Sequence, residues 1–207
     1  MSRKMNARIF LSINLLALSV ILVFLPTNKS TKEQKKPLEM VESLGKASNN
    51  VDADLASRYI AENNEDIQFI DLRLPEEFMD FSIPGAMNIP FELLFEEKWV
   101  GYFSTSVKTN ILYTNNSFKS SMAVALLISE GYTNNLSLNG GLNEWFALVM
   151  STEFTGTRLS ARENALFENR RKAKTLFIEF NSLPDSVKNT FVDAKISEQA
   201  KLDGGCE

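Results

Sequence analysis

The stretch LYTNNSFKSSMAVALL, residues 112–127, decides how this chain is read. An apolar strand end feeds a short polar loop, and the loop opens onto an apolar helix. Such a loop offers backbone N–H groups and the positive end of a helix dipole to an anion. Its residues are Thr114, Asn115, Asn116, Ser117, Phe118, Lys119 and Ser120, which together form a candidate anion-binding loop. It contains no Cys and no His, and Lys119 is its one cation.

The same alternation recurs on both sides of this stretch. DADLASRYIAENN (52–64) has helical period, with Leu55, Tyr59 and Ile60 expected on one face. IQFIDL (67–72) and TNILYT (109–114) predict short buried strands. Pro75 suits the first turn of a short helix. SIPGAMNIP (82–90) reads as loop, and FELLFEEKWVGYF (91–103) as helical. Gly131 ends the helix that follows the polar loop. A third strand, a Gly-Gly turn and a further helix lie within 134–149, where Trp145 is expected in the core. Short apolar strands alternating with helices imply an α/β domain with a mostly parallel sheet. Ligands of such sheets sit at the strands' carboxyl ends, which is where the loop falls.

Composition narrows the chemistry. The chain has 207 residues, 44% hydrophobic and 23% charged, enough for one domain with appendages. A net charge of -4 argues against nucleic acid as a partner. With His 0, the commonest general base and metal ligand is missing. The lone Cys206 rules out an intramolecular disulfide and a Cys-based zinc site, and neither a cofactor nor a metal is expected.

The ends differ from the middle. Arg3, Lys4 and Arg8 precede an apolar run over residues 9–26. Spanning a bilayer takes ~20 apolar residues, so 1–26 reads as an uncleaved anchor in preference to a signal peptide or a buried helix. Basic residues flank both sides, and the short tail before the span favours a single-pass protein whose soluble domain is extracytoplasmic. Residues 27–50 are a polar linker, 51–150 the domain, and 158–203 a helical extension that opens on a Ser160/Glu163 capping box. Whether that extension packs on the domain, dimerises or docks elsewhere is open at this point. Gly204-Gly205 leashes Cys206 in a tail, 204–207.

Four motifs, in order, resemble the rhodanese-like superfamily. Asp71-Leu72-Arg73 with Glu76-Glu77-Phe78 resembles its Asp-Val-Arg and Glu-Phe motif. SIPGAMNIP resembles its His-Ile-Pro-Gly-Ala…Asn-Ile-Pro loop, the polar loop its active loop, and LNGGLNEW its Leu-x-Gly-Gly…Trp signature. The resemblance implies an α/β rhodanese-like fold. It also places Thr114 where the family has the Cys that carries a persulfide, Lys119 where it has an Arg, Ser117 where it has a Gly, and Ser82 where it has the His.

Each departure falls on the chemistry. A Thr cannot form a persulfide, and its hydroxyl is expected to bond to its own backbone. Asp71 is expected to hold a turn or a neighbouring loop, and Arg73 to pair with Glu76 or Glu77 or to anchor the chain. The expectation is a membrane-tethered binding or regulatory module without thiosulfate sulfurtransferase activity, whose Lys119 pocket takes a protein partner or a small oxyanion. The alternative is a sulfur-handling protein in which Cys206, or a partner's Cys, carries the sulfur. A phosphatase would need the same Cys and Arg that are missing.

Overall fold

A computed structural model describes residues 15–16, 49–104, 108–154 and 160–203. Leu15 and Leu16 are helical; the rest of the apolar run 9–26, most of the linker and Cys206 lie outside the described residues. Among the described residues no helix is long and apolar enough to cross a membrane.

The sheet has five strands, all paired in parallel, in the order β1-β5-β4-β2-β3. The strands are β1 (Asn50–Val51), β2 (Ile67–Asp71), β3 (Met87–Asn88), β4 (Thr109–Tyr113) and β5 (Asn135–Leu138). The helices are α1 (Ala53–Glu62), α2 (Pro75–Asp80), α3 (Glu97–Ser104), α4 (Ser117–Ser129), α5 (Gly141–Trp145), α6 (Ala161–Asn181) and α7 (Asp185–Asp203). A π-helical turn, Phe146–Met150, prolongs α5.

The two-residue period of a strand sorts the core. Phe69, Ile111 and Tyr113 face the cluster that holds Ile60 of α1, Trp145 of α5 and Phe177 of α6. Ile70 and Leu112 face the other cluster, with Phe103 of α3 and Leu127 of α4. Trp145 is fully buried, as its spacing predicts.

Three local expectations change. Leu55 is 36% exposed, and Ala53, Ala56 and Ser57 are buried with Ile60 instead, because α1 needs small residues where α6 crosses it. SIPGAMNIP is not all loop: Met87 and Asn88 pair with Ile70 and Asp71 at the sheet edge. β1 starts at Asn50, across the boundary drawn between linker and domain, and pairs with Ser137 and Leu138.

The extension packs on the domain. Ala173 and Phe177 of α6 are buried in the core, Arg170 bonds Asp54 of α1 at 2.5 Å, and Lys174 donates to the Thr152 carbonyl. Ser160 and Glu163 form the expected capping box.

Candidate functional site

Parallel register brings the two halves of the site together. Asp71 at the end of β2 lies opposite Tyr113 at the end of β4, so the segments that follow, Leu72–Leu74 and Thr114–Lys119, are neighbours. They enclose a groove of about 630 Å³ lined by Arg73, Leu74, Glu77, Glu92, Thr114–Asn116, Phe118 and Lys119, with Leu72 behind.

The polar loop largely satisfies itself. The Thr114 hydroxyl donates to the Asn116 carbonyl at 2.5 Å, and residue 114 is only 6% exposed. Asn116 caps α4 by accepting from the Phe118 N–H at 3.0 Å, taking up one of the orphan donors of the helix start. From behind, Leu142 and Asn143 donate N–H groups to the carbonyls of Thr114 and Asn115. Gly141 permits this close approach: an added Cβ would lie 2.8 Å from Asn116 N, and its φ of +59° favours glycine.

Arg73 pairs with Asp71, not with Glu76 or Glu77. Its Nη2 lies 2.7 Å from Asp71 Oδ2, and both side chains are nearly without solvent contact. The Asp71 carboxylate also accepts the Arg73 backbone N–H, which shapes the turn after β2. The guanidinium donates further to the Phe81 carbonyl and to Asn115 Oδ1. Glu77 is out of Arg73's fork because Asp71 occupies it; Glu77 accepts from Asn115 Nδ2 at 3.0 Å. Asn115 thus bridges an Arg and a Glu across the groove.

Electrostatics follow from burial. Burial pushes the Asp71 carboxyl above its ordinary value, against the pull of Arg73. Burial lowers the Arg73 guanidinium, but Asp71 outweighs it and the net direction is up. Burial, then the Asp71 charge, holds the Tyr113 phenol well above its ordinary range. Tyr113 accepts the Ile83 N–H through its hydroxyl. Lys119 stands at the rim, 56% exposed, with Glu92 at 3.8 Å and the Phe91 ring at 5.8 Å.

All seven candidate loop residues therefore gather at the end of β4, but not all face the groove. Ser120 is buried and shares a hydrogen bond with Ser137 of β5. Ser117 does not line the groove. Sequence reasoning missed Leu74 and Glu92 as lining residues and Asn88, whose amide donates to the carbonyls of Asp71 and Arg73. The Asn of the SIPGAMNIP motif was the available signal for Asn88; Glu92 has none in the sequence.

The five-stranded parallel sheet, with its loop-to-helix junction at the end of β4, defines an α/β domain of the class that holds ligands at strand carboxyl ends. Residues 52–148 match the family model described as the rhodanese-like domain, and this segment is a rhodanese-like domain. It is similar to a protein named sulfurtransferase from Allochromatium vinosum, 29% identical over 99 residues, covering 47% of this chain and 87% of that protein. It is also similar to the uncharacterized protein YqhL of Bacillus subtilis, 36% identical over 81 residues; the match covers 38% of this chain and 60% of that protein's length. Among solved structures, a rhodanese-related protein from Thermoplasma volcanium is 23% identical with a TM-score of 0.40, covering 48% of this chain and 91% of that one.

Proposed function

We propose that this chain is a membrane-tethered binding module built on a rhodanese-like domain, without sulfur transfer at residue 114. The observation that carries the reading is the Thr114 hydroxyl. It stands where a sulfur-bearing group would sit, is nearly buried, and gives its proton to a carbonyl of its own loop. An oxygen nucleophile there would need a base, and the nearby carboxylates are engaged, Asp71 by Arg73 and Glu77 by Asn115. The tether is the apolar run 9–26, with the domain on the extracytoplasmic side.

The groove's charges favour a cationic guest. Asp71 and Arg73 cancel, leaving the two carboxylates of Glu77 and Glu92 against the single ammonium of Lys119. Leu74 and Phe118 give the groove an apolar rim, 56% and 72% exposed. A protein segment that inserts a Lys or Arg and lays an apolar side chain on Phe118 suits this surface.

Two measurements on the full-length purified chain test the reading. Incubated with thiosulfate and cyanide, it forms no thiocyanate above background; turnover at rates usual for a sulfurtransferase overturns the proposal. Titrated separately with N-acetyl-Leu-Arg-amide and with sodium sulfate, it shows saturable perturbation of Phe118 with the peptide, lost in Glu77→Gln/Glu92→Gln. Saturable sulfate binding instead makes the groove an oxyanion pocket. A third measurement, mass spectrometry after thiosulfate without cyanide, tests the alternative: persulfide on Cys206, formed with release of sulfite, transfers the sulfur chemistry to the tail.

A further inference from the structure

α6 and α7 lie beyond the family-matched segment, yet they bond directly to a strip that supports Arg73 of the groove lining. The strip is residues 79–82, which run from the end of α2 towards β3. Asn181, the last residue of α6, accepts the Ser82 N–H at 2.9 Å and donates to the Ser82 carbonyl at 2.9 Å. One side-chain amide therefore pairs with one residue's backbone much as a neighbouring strand would. Lys188 of α7 is 4% exposed and donates through Nζ to the Met79 carbonyl at 3.1 Å. It sits at the carboxyl end of α2, where carbonyls lack intrahelical partners and the dipole favours a cation.

The same strip meets the groove through Arg73, one of its lining residues. The Phe81 carbonyl accepts from Arg73 Nη2 at 2.7 Å, and the Phe81 ring lies 4.9 Å from the guanidinium carbon. Aromatic contacts complete the link: Phe177 of α6 meets Phe146 edge-on at 5.6 Å, and Phe146 meets Phe81 edge-on at 5.4 Å. α2, whose end Lys188 caps, also carries Glu77 of the groove lining. Burying an ammonium is costly, and a Met would fill the same space without that cost. The bond to Met79 is the return visible for it.

We propose that the C-terminal helix pair is a clamp that sets the geometry of the groove, with Asn181 and Lys188 as its positioning residues. Seating of α6–α7 and occupancy of the groove are then coupled and reciprocal. Whatever lifts α7 from Met79 loosens the strip that holds Arg73, and a guest that tightens Arg73 seats α7. The clamp stands on these contacts alone, whether the groove binds a partner or handles sulfur.

The test uses the full-length chain with Cys206→Ser and Thr114→Cys, so that a single thiol reports from inside the groove. Its alkylation by iodoacetamide is followed as a function of pH. Asn181→Ala and Lys188→Met are expected to raise the pH-independent labelling rate about fivefold or more, the lower end of ordinary coupling between sites. Arg171→Ala, which breaks only the exposed pair with Glu168 within α6 and leaves the contacts of α6 with the domain and the strip untouched, is the control and leaves the rate unchanged. Unchanged labelling in both clamp variants, or an equal rise in the control, overturns the proposal. If Asn181→Ala does not fold, amide exchange in Lys188→Met decides. Ser82 and Ile83 exchange faster relative to Leu112 if the clamp holds the strip, and at an unaltered ratio if it does not.

Discussion

The Thr114 hydroxyl and the Asn116 carbonyl are 2.5 Å apart, within the same turn in which Asn116 caps α4. A thiol placed at residue 114 would face that carbonyl's negative end. Thr114→Cys, in a Cys206→Ser background, is therefore expected to keep a pKa at or above the free-cysteine value of about 8.5. It should alkylate slowly at neutral pH and form no thiocyanate. A thiolate already present at pH 6, read from the ultraviolet absorbance of the thiolate, would show that the loop still stabilises sulfur anions.

Asp71 and Arg73 form a buried ion pair with side chains 0% and 3% exposed. Removing one charge strands the other, which typically costs about 3–5 kcal/mol. Asp71→Asn should lower unfolding stability by roughly that amount in urea titrations. Asp71→Asn/Arg73→Met should lose less than the single variant, because no unpaired charge stays buried. A double variant worse than Asp71→Asn would mean that Arg73's bonds to Phe81 and Asn115 outweigh the pair.

Gly141 backs the loop so closely that a Cβ would meet Asn115 C at 2.9 Å and Asn116 N at 2.8 Å, both backbone atoms. Gly141→Ala adds left-handed strain, and together these should cost roughly 1–3 kcal/mol. The expected readout is a lower melting temperature, with shifted amide resonances at Asn115 and Asn116. An unchanged melting temperature would mean that α5 can slide back from the loop.

Tyr113 is 0% exposed, and burial holds its phenol well above the ordinary value. The sign follows by linkage. The raised folded-state value means that the native phenol keeps its proton where the unfolded one has lost it. Its contribution to stability is fully present below the unfolded value of about 10 and is lost as pH rises beyond it. Stability of Tyr113→Phe should fall less steeply above that pH than wild type. At neutral pH it should be about 1–3 kcal/mol lower, since the Ile83 N–H loses its acceptor. Parallel pH curves for the two proteins would remove Tyr113 from the alkaline transition.

Much of the site could be read before folding was considered. The strand, loop and helix of residues 112–127 follow from apolar runs and an Asn-Ser cap signal, which depend only on neighbouring residues. β2 and the Ser160/Glu163 box were legible for the same reason. Leu55 misled because the face α1 buries is chosen by α6, which arrives from more than a hundred residues away. The pairing of Arg73 misled because Glu76 and Glu77, three and four residues on, are also within reach in sequence, and Asp71 lies on a strand end. Only the end of β2 tells which carboxylate turns inward.

By itself, the sequence determined the alternation of strands and helices, hence the α/β class. It also determined that residue 114 cannot carry a persulfide, since Thr has no sulfur. These are properties of residue type and short-range period. Tertiary packing decided that Asn115 bridges Arg73 and Glu77, that Glu77 and Glu92 share one groove with Lys119, and that Asn181 and Lys188 hold the strip bonded to Arg73. Asn181 and Ser82 are 99 residues apart in the chain. A bond over that distance depends on the angle at which α6 crosses α1, and that angle is set by how the buried side chains of the whole domain pack.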